Sequence, residues 1–326
     1  MSSTMGHKYD VPRLWTEQMG AVVAKQDELA AGAYVTGQSL EEMREAYRTE
    51  RAFWNEGGPA VASAVDRQVP TRYGEVRVRH YRPSDQGPLP LIVFVHGGGW
   101  VIGGVDTHDR ITRALCHLTG AVVVSIDYTL APDARFPQQI HECRDAVAHI
   151  RAHAEEWGID PGDVSFAGDS AGANMAAATM LMLRDEGLLP TARAMLLFYG
   201  AYGLKDSMSM RLLGGTWDGL TEADYAYYLG QYFADPADVD DPYFNILGAD
   251  FSADAPPFYI AAAGLDPLRD DSRTLAEILR LCGVPHLYNE VEGVIHGFLH
   301  HSKMLDQTME VLAEAARFHA EHPIRR

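Results

Sequence analysis

Hydrophobic positions along the chain fall into two periods. Between residues 11 and 56 they recur at helical spacing, with Trp15, Met19, Val22 and Val23 on one segment and Met43, Tyr47, Phe53 and Trp54 on the next. Ser39 followed by Glu42 offers a capping box for the second segment. From about residue 66 the period shortens. Residues 68–73 and 76–81 alternate around Gly74 and predict an antiparallel hairpin. Short apolar runs at 91–95, 121–126, 163–167, 194–198, 258–263 and 286–291 then predict strands. Between and after them, stretches at 108–118, 138–157, 173–184, 271–281 and 301–320 predict helices. Repeated strand–helix units imply an α/β fold, a mostly parallel doubly wound sheet with active groups at the C-terminal strand ends.

One stretch breaks the rhythm. Some sixty residues separate Phe198 from Phe258, far more than an ordinary loop. They carry Tyr202, Trp217, Tyr225, Tyr227, Tyr228, Tyr232 and Phe233. Tyr225, Tyr228 and Tyr232 share a face of a helix expected to start near Thr221, with Asp224 in its first turn. An aromatic, helical insertion above the strand ends is a candidate cover for a substrate cleft. The helical pair before the sheet is a candidate lid, or an ordinary hairpin packed on the body. The expected division is a helical cap segment at 1–56, then a sheet domain at 57–326 with a cap insertion at about 200–250.

Composition narrows the class. With 326 residues, 47% of them hydrophobic, the chain can build a large core. A formal net charge of −18 disfavours nucleic acid and anionic membrane surfaces as partners, since both are polyanions. No apolar run approaches a membrane span, and the first ten residues hold no apolar h-region of a secretory signal. Cys116, Cys143 and Cys282 are odd in number, far apart and without a C-x-x-C. They read as buried free thiols on helices in a reducing compartment, with no metal site.

The chemistry begins at Gly168-Asp169-Ser170-Ala171-Gly172, a G-x-S-x-G element between a β-prone stretch and a helix pattern. That context is a nucleophile elbow, which lifts the Ser170 hydroxyl above the sheet. The strand at 91–95 ends in His96-Gly97-Gly98-Gly99-Trp100. Three consecutive glycines leave backbone N–H groups uncovered by side chains. Gly97, Gly98 and Gly99, with the N–H of Ala171, are therefore candidates for an oxyanion hole. A phosphate-binding loop would need G-x-x-x-x-G-K-[ST] or G-x-G-x-x-G before a helix, and neither occurs here. A serine hydroxyl needs an adjacent base. Composition does not choose among 14 histidines, but position does. Asp266 follows the strand at 258–263 and His296 follows the strand at 286–291, so both can converge on Ser170 in the order Ser, acid, His. Asp270 and Asp271 compete with Asp266 but sit at a helix start, the place of a cap or a dipole partner. His300 and His301 compete with His296 but begin the terminal helix and read as surface or core residues. His96 reads as a support for the glycine loop, and Asp169 as a supporting neighbour of Ser170.

Together, His96–Trp100, Gly168–Gly172, Asp127–Pro132, Asp266–Leu268 and His296–Phe298 resemble the hormone-sensitive-lipase-like branch of the α/β-hydrolases over residues 65 to 320. The stretches at 199–207, 211–221 and 298–304 are similar to those of bacterial acetyl esterases of the Aes type. The resemblance implies the α/β-hydrolase fold and a Ser170–His296–Asp266 triad with Gly97–Gly99 as the oxyanion loop. It implies a cytoplasmic serine carboxylesterase for acetyl to butyryl esters, without cofactor or metal, as a monomer or homodimer. Two positions depart from the branch. Ala173 stands where a second glycine is usual, and Thr129 where arginine is usual. The rival readings are an amidase of the arylformamidase type on the same fold, a lipase for long chains, and a non-catalytic ligand receptor. A receptor of that kind tends to lose a triad position, and all three are filled here.

Overall fold

A computed structural model describes residues 9–30, 35–189, 191–251 and 254–324. Most of the stretch read for a secretory signal, and the first eight residues of the segment 1–56, lie outside the described residues.

Among the described residues, eight strands form one sheet: β1 (Ser63–Thr71), β2 (Gly74–Arg82), β3 (Leu89–Val95), β4 (Val122–Asp127), β5 (Ile159–Asp169), β6 (Met195–Phe198), β7 (Phe258–Ala263) and β8 (His286–Val291). Their order is β1-β2-β4-β3-β5-β6-β7-β8. β2 runs antiparallel to β1 and β4, and the other neighbours are parallel. Among the described residues, ten α-helices accompany them: α1 (Glu17–Leu29), α2 (Leu40–Asn55), α3 (Asp109–Thr119), α4 (Gln138–Ala152), α5 (Ala154–Trp157), α6 (Ala171–Asp185), α7 (Met208–Leu213), α8 (Glu222–Tyr232), α9 (Arg269–Cys282) and α10 (Asp306–Glu321).

The continuous apolar strands serve two cores, because successive side chains point to opposite faces. Leu91, Val93 and Val95 join one core with residues of α4, α6 and α9. Ile92 and Phe94 join the other with residues of α1, α3 and α10. This sandwich puts the ends of β3, β5, β7 and β8 along one edge. α7 and α8 lie between β6 and β7 in the chain, inside the long insertion. Thr221 caps α8 in a reciprocal capping box with Asp224. Tyr232 stacks on Trp100 with ring centroids 4.6 Å apart, which fixes the insertion to the loop after β3. Among the described residues no helix is long and apolar enough to cross a membrane.

Several expectations are corrected. The helix expected over 138–157 breaks at His153. The break turns Trp157 inward against the His80 ring, 5.1 Å away, beneath the Arg67 guanidinium. The terminal helix starts at Asp306 rather than 301, since Leu305 is extended. Residues 298–301 instead form a tight 3-10 turn that buries both His300 and His301. Residues 160–162 form an irregularity within β5, between the pairs Leu89–Ile159 and Leu91–Val164. Cys116 and Cys143 are buried, whereas Cys282 is exposed, because the buried side of α9 is the one carrying Leu275 and Leu279.

Asp270 and Asp271 do not cap α9; Leu268 occupies the N-cap position without a side-chain bond. Asp270 accepts from the Ser209 N–H at 2.8 Å and so ties α7 to α9. Asp271 accepts from the Tyr202 and Leu204 N–H groups at 2.8 and 3.2 Å, holding the loop after β6. Burial, only partly offset by those two bonds, pushes its carboxyl up to about 7. An unfolded Asp titrates near 3.9 (approximately). The folded state thus holds this proton more tightly. That contribution to stability is complete below about pH 4 and is lost as pH rises through about 7. Asp271→Asn keeps an acceptor oxygen and cannot ionise. Its stability relative to wild type should therefore rise by at least about 1 kcal/mol from pH 5 to pH 8. Thermal melts of both proteins at the two pH values check this, and a difference that is flat with pH contradicts it.

Candidate active site

Ser170 is the whole of the turn between β5 and α6, with φ 53° and ψ −123°. Such backbone costs a non-glycine residue roughly 1–3 kcal/mol and persists only where surroundings hold it. Here the Ser170 N–H donates to Phe198 O at 2.9 Å, and the Ser170 carbonyl accepts from Ala173 and Asn174. The Asn174 amide donates in turn to Ala201 and Phe244 carbonyls. The flanking glycines are required by space. A Cβ at Gly168 would lie 2.4 Å from Gly172 O, and one at Gly172 would lie 2.1 Å from Val95 O. Ala173, the first departure from the branch pattern, is buried in α6. Thr129, the second, binds Glu142 through its N–H and hydroxyl.

The strand-end placement brings Ser170, His296 and Asp266 into line. His296 Nε2 lies 2.9 Å from Ser170 Oγ, and His296 Nδ1 lies 2.8 Å from Asp266 Oδ2. Asp266 is fully buried, and its Oδ1 accepts from the Leu268 N–H at 2.7 Å. Facing a carboxylate, Nδ1 carries the proton, which leaves Nε2 as an acceptor for the serine hydroxyl. Burial pulls the His296 imidazolium down. The charge of Asp266 and its hydrogen bond, then Asp218 and Asp169, outweigh that, so His296 titrates above its usual value.

The glycine loop departs from the expectation at one position. The Gly97 N–H donates to Asp169 Oδ1 at 2.9 Å, so Gly97 leaves the set of candidate oxyanion donors. A side chain there would also strike Asp169 Oδ2 at 2.6 Å. Gly98, Gly99 and Ala171 line the cavity over Ser170. His96 stacks on Tyr128 with centroids 4.2 Å apart, and Tyr128 donates to the His96 carbonyl. Burial, helped by the neighbouring His108, lowers His96 to about 4 and keeps it neutral.

Behind the elbow, His108 Nε2 lies 3.3 Å from Asp169 Oδ1, and His300 packs edge-on against His108. These three residues bring ligand-type atoms within 4.8 Å of one another. Asp169 already accepts from the Gly97 N–H there and faces His108, the pattern of a structural support.

Sequence reasoning missed Asp218, Tyr47 and Arg51 of this cavity. Asp218 precedes a glycine and reads locally as a turn residue. Its Oδ1 does accept from Leu220 N–H at 3.1 Å, while its Oδ2 is shielded from solvent. Burial is the main reason its carboxyl is pushed up to about 7. Tyr47 and Arg51 fall one turn apart on α2 and read as ordinary amphipathic helix.

A mostly parallel sheet carrying a strained serine elbow at its strand ends is the architecture of an α/β-hydrolase. The chain belongs to the alpha/beta hydrolase fold family, whose model matches residues 92–300. It is similar to the esterase of Pyrobaculum calidifontis, at 35% identity and a TM-score of 0.83 over 87% of this chain and 94% of that one. It is also similar to an ester hydrolase from the metagenome of Lake Arreo, solved with a bipyridine phosphonate derivative. That match has 30% identity and a TM-score of 0.87 over 94% of this chain and 99% of the other. EstE1, a thermostable carboxylesterase from a metagenomic library, matches at 29% identity and a TM-score of 0.83 over 87% and 98%. The chain is a carboxylic ester hydrolase of the hormone-sensitive-lipase-like branch.

Because the charge of Asp218 favours the His296 imidazolium, Asp218→Asn should shift the acid limb of kcat/KM to lower pH. A pH–rate profile of both proteins checks the sign; a limb that stays in place or moves up refutes the coupling.

Proposed function

We propose that the protein is a serine carboxylesterase for short acyl esters, acetyl to butyryl, of the acetyl-esterase type. The observation that carries this reading is the Ser170–His296–Asp266 line at the floor of a small cavity. His296 Nε2 takes the hydroxyl proton as Ser170 Oγ attacks the ester carbonyl. The N–H groups of Gly98, Gly99 and Ala171 receive the oxyanion. Asp266 keeps Nδ1 protonated and supports the imidazolium, which then protonates the leaving alcohol. Water hydrolyses the acyl-Ser170 by the same route. The residues need no cofactor for these steps.

The N-terminal helices and the insertion at about 200–250 act together as a cap. Tyr47 and Arg51 of α2 and Trp217, Tyr225 and Tyr228 of the insertion line the same cavity as Ser170. That cavity measures about 70 Å³. An acetyl or butyryl group fits that space. The free buried thiols Cys116 and Cys143 suit a cytoplasmic enzyme, monomer or homodimer.

Ser170→Ala should stay folded and lose activity by on the order of 10⁴-fold or more, because triad members act as a unit. Esterase assay of the purified, folded variant tests it; activity within tenfold of wild type sinks the nucleophile assignment. The acyl limit has its own test. Across aryl acetate to dodecanoate, kcat/KM should peak between two and four carbons and fall steeply beyond about six. Each methylene that fits gains ~0.8 kcal/mol, whereas one that displaces packed side chains loses about 1 kcal/mol or more. A profile rising beyond eight carbons would instead describe a lipase.

A further inference from the structure

The cavity over Ser170 has a neighbour. A second cavity of about 250 Å³ opens beneath the insertion, against about 70 Å³ over Ser170. Among the described residues, Tyr225 is common to both linings. It stands on α8 one turn ahead of Tyr228, and Tyr228 lines the first cavity alone. Removing Tyr228 would widen the first cavity, while removing Tyr225 would join the two.

The second cavity suits an alkyl chain. Met210, Leu229, Val239 and Phe244 give it apolar walls and pack on the core. Of its charged residues, Lys205, Asp206 and Arg211 sit towards solvent in ion pairs, Glu222 is exposed, and the buried Asp271 accepts from the Tyr202 and Leu204 N–H groups. Lys205 meets Asp240 at 2.6 Å, and Arg211 meets Asp206, all four more than half exposed in their side chains. Apolar walls with ion pairs on the solvent side match methylenes inside and a chain end near water.

We propose that Tyr225 is the partition that sets the chain length of the ester, and that the second cavity is a latent pocket for an unbranched alkyl tail. The proposal rests on the short-chain esterase reading above. The tail belongs either to the acyl group or to the alcohol, and the slot's chemistry is the same for both.

The test measures kcat/KM in two series, aryl acetate to dodecanoate and ethyl to decyl acetate. The proteins are wild type, Tyr225→Ala and Tyr225→Leu, each checked for folding by circular dichroism and melting. Tyr225→Leu is the milder change should Tyr225→Ala fold poorly. Each seated methylene gains at most roughly fourfold. The ratio of eight-carbon to two-carbon substrate should therefore rise at least tenfold in one series, and that series identifies the tail. Adding Met210→Trp, which fills the second cavity, should return the ratio towards wild type. Unchanged ratios in both series for a folded variant overturn the proposal. So does a rise that Met210→Trp leaves in place, because general loosening would produce that. The short-chain reading fails separately, on the wild-type profile alone.

Discussion

The hydrogen bond from the Gly97 N–H to the buried Asp169 carboxylate joins two loops that come from different strands. One loop carries Gly98 and Gly99, the other carries Ser170. Asp169 is fully enclosed, and burial alone would raise its pKa. The neighbouring His108 and the Gly97 N–H more than reverse that, so the group titrates below its usual range and stays charged. A charged acceptor makes a stronger bond than a neutral one. The distance between the nucleophile and its proposed oxyanion donors is therefore set by a side chain adjacent to the nucleophile itself. Disturbing Asp169 would move both loops at once.

The sequence made the strands and the triad positions readable for a physical reason. Continuous apolar runs occur where both faces of a strand are covered, and in a parallel sheet their ends gather on one edge. Ser170, Asp266 and His296 each follow such a run, and the structure sets them within hydrogen-bond distance of their neighbours. What stayed hidden depends on partners distant in sequence. Nothing local to Gly97 shows that its N–H meets a carboxylate 72 positions away. Nothing local to Asp271 distinguishes a helix-starting acid from one that reaches back to Tyr202 and Leu204. The 3-10 turn at 298–301 was hidden likewise. It is set by burying His301 edge-on against Trp54 of α2, a contact across most of the chain.

The cap side of the site is held by a buried ion pair. Glu50 and Arg51 are almost fully enclosed on α2, 3.1 Å apart. Trp54 donates to Glu50, and Arg51 lies over the Tyr47 ring. Breaking one member of such a pair leaves an uncompensated charge, which is strongly destabilising. Tyr47 and Arg51 face the same cavity as Ser170. The geometry of that wall is thus tied to an interaction that does not yield gradually, and a helix with an ordinary amphipathic pattern becomes part of the cavity wall.

Strain and preorganisation coincide in this molecule. Two non-glycine residues beside the cavity, Ser170 and Trp100, hold positive φ values of 53° and 63°. Each costs roughly 1–3 kcal/mol in isolation. Ser170 is held by its bonds to Phe198, Ala173 and Asn174. Trp100 is held because its ring is buried against Tyr232, which itself packs edge-on with Phe136. Gly98 and Gly99 lie between Trp100 above and the Asp169 anchor below. The backbone between them is therefore held at both ends. Donors fixed in advance stabilise a developing oxyanion without reorganising at the moment of reaction, and that advantage is lost if the loop relaxes. The strained backbone persists because packing enforces it, and under the proposed mechanism the same packing would fix the oxyanion donors. The aromatic insertion thus clamps the loop that carries Gly98 and Gly99 by stacking Tyr232 on Trp100.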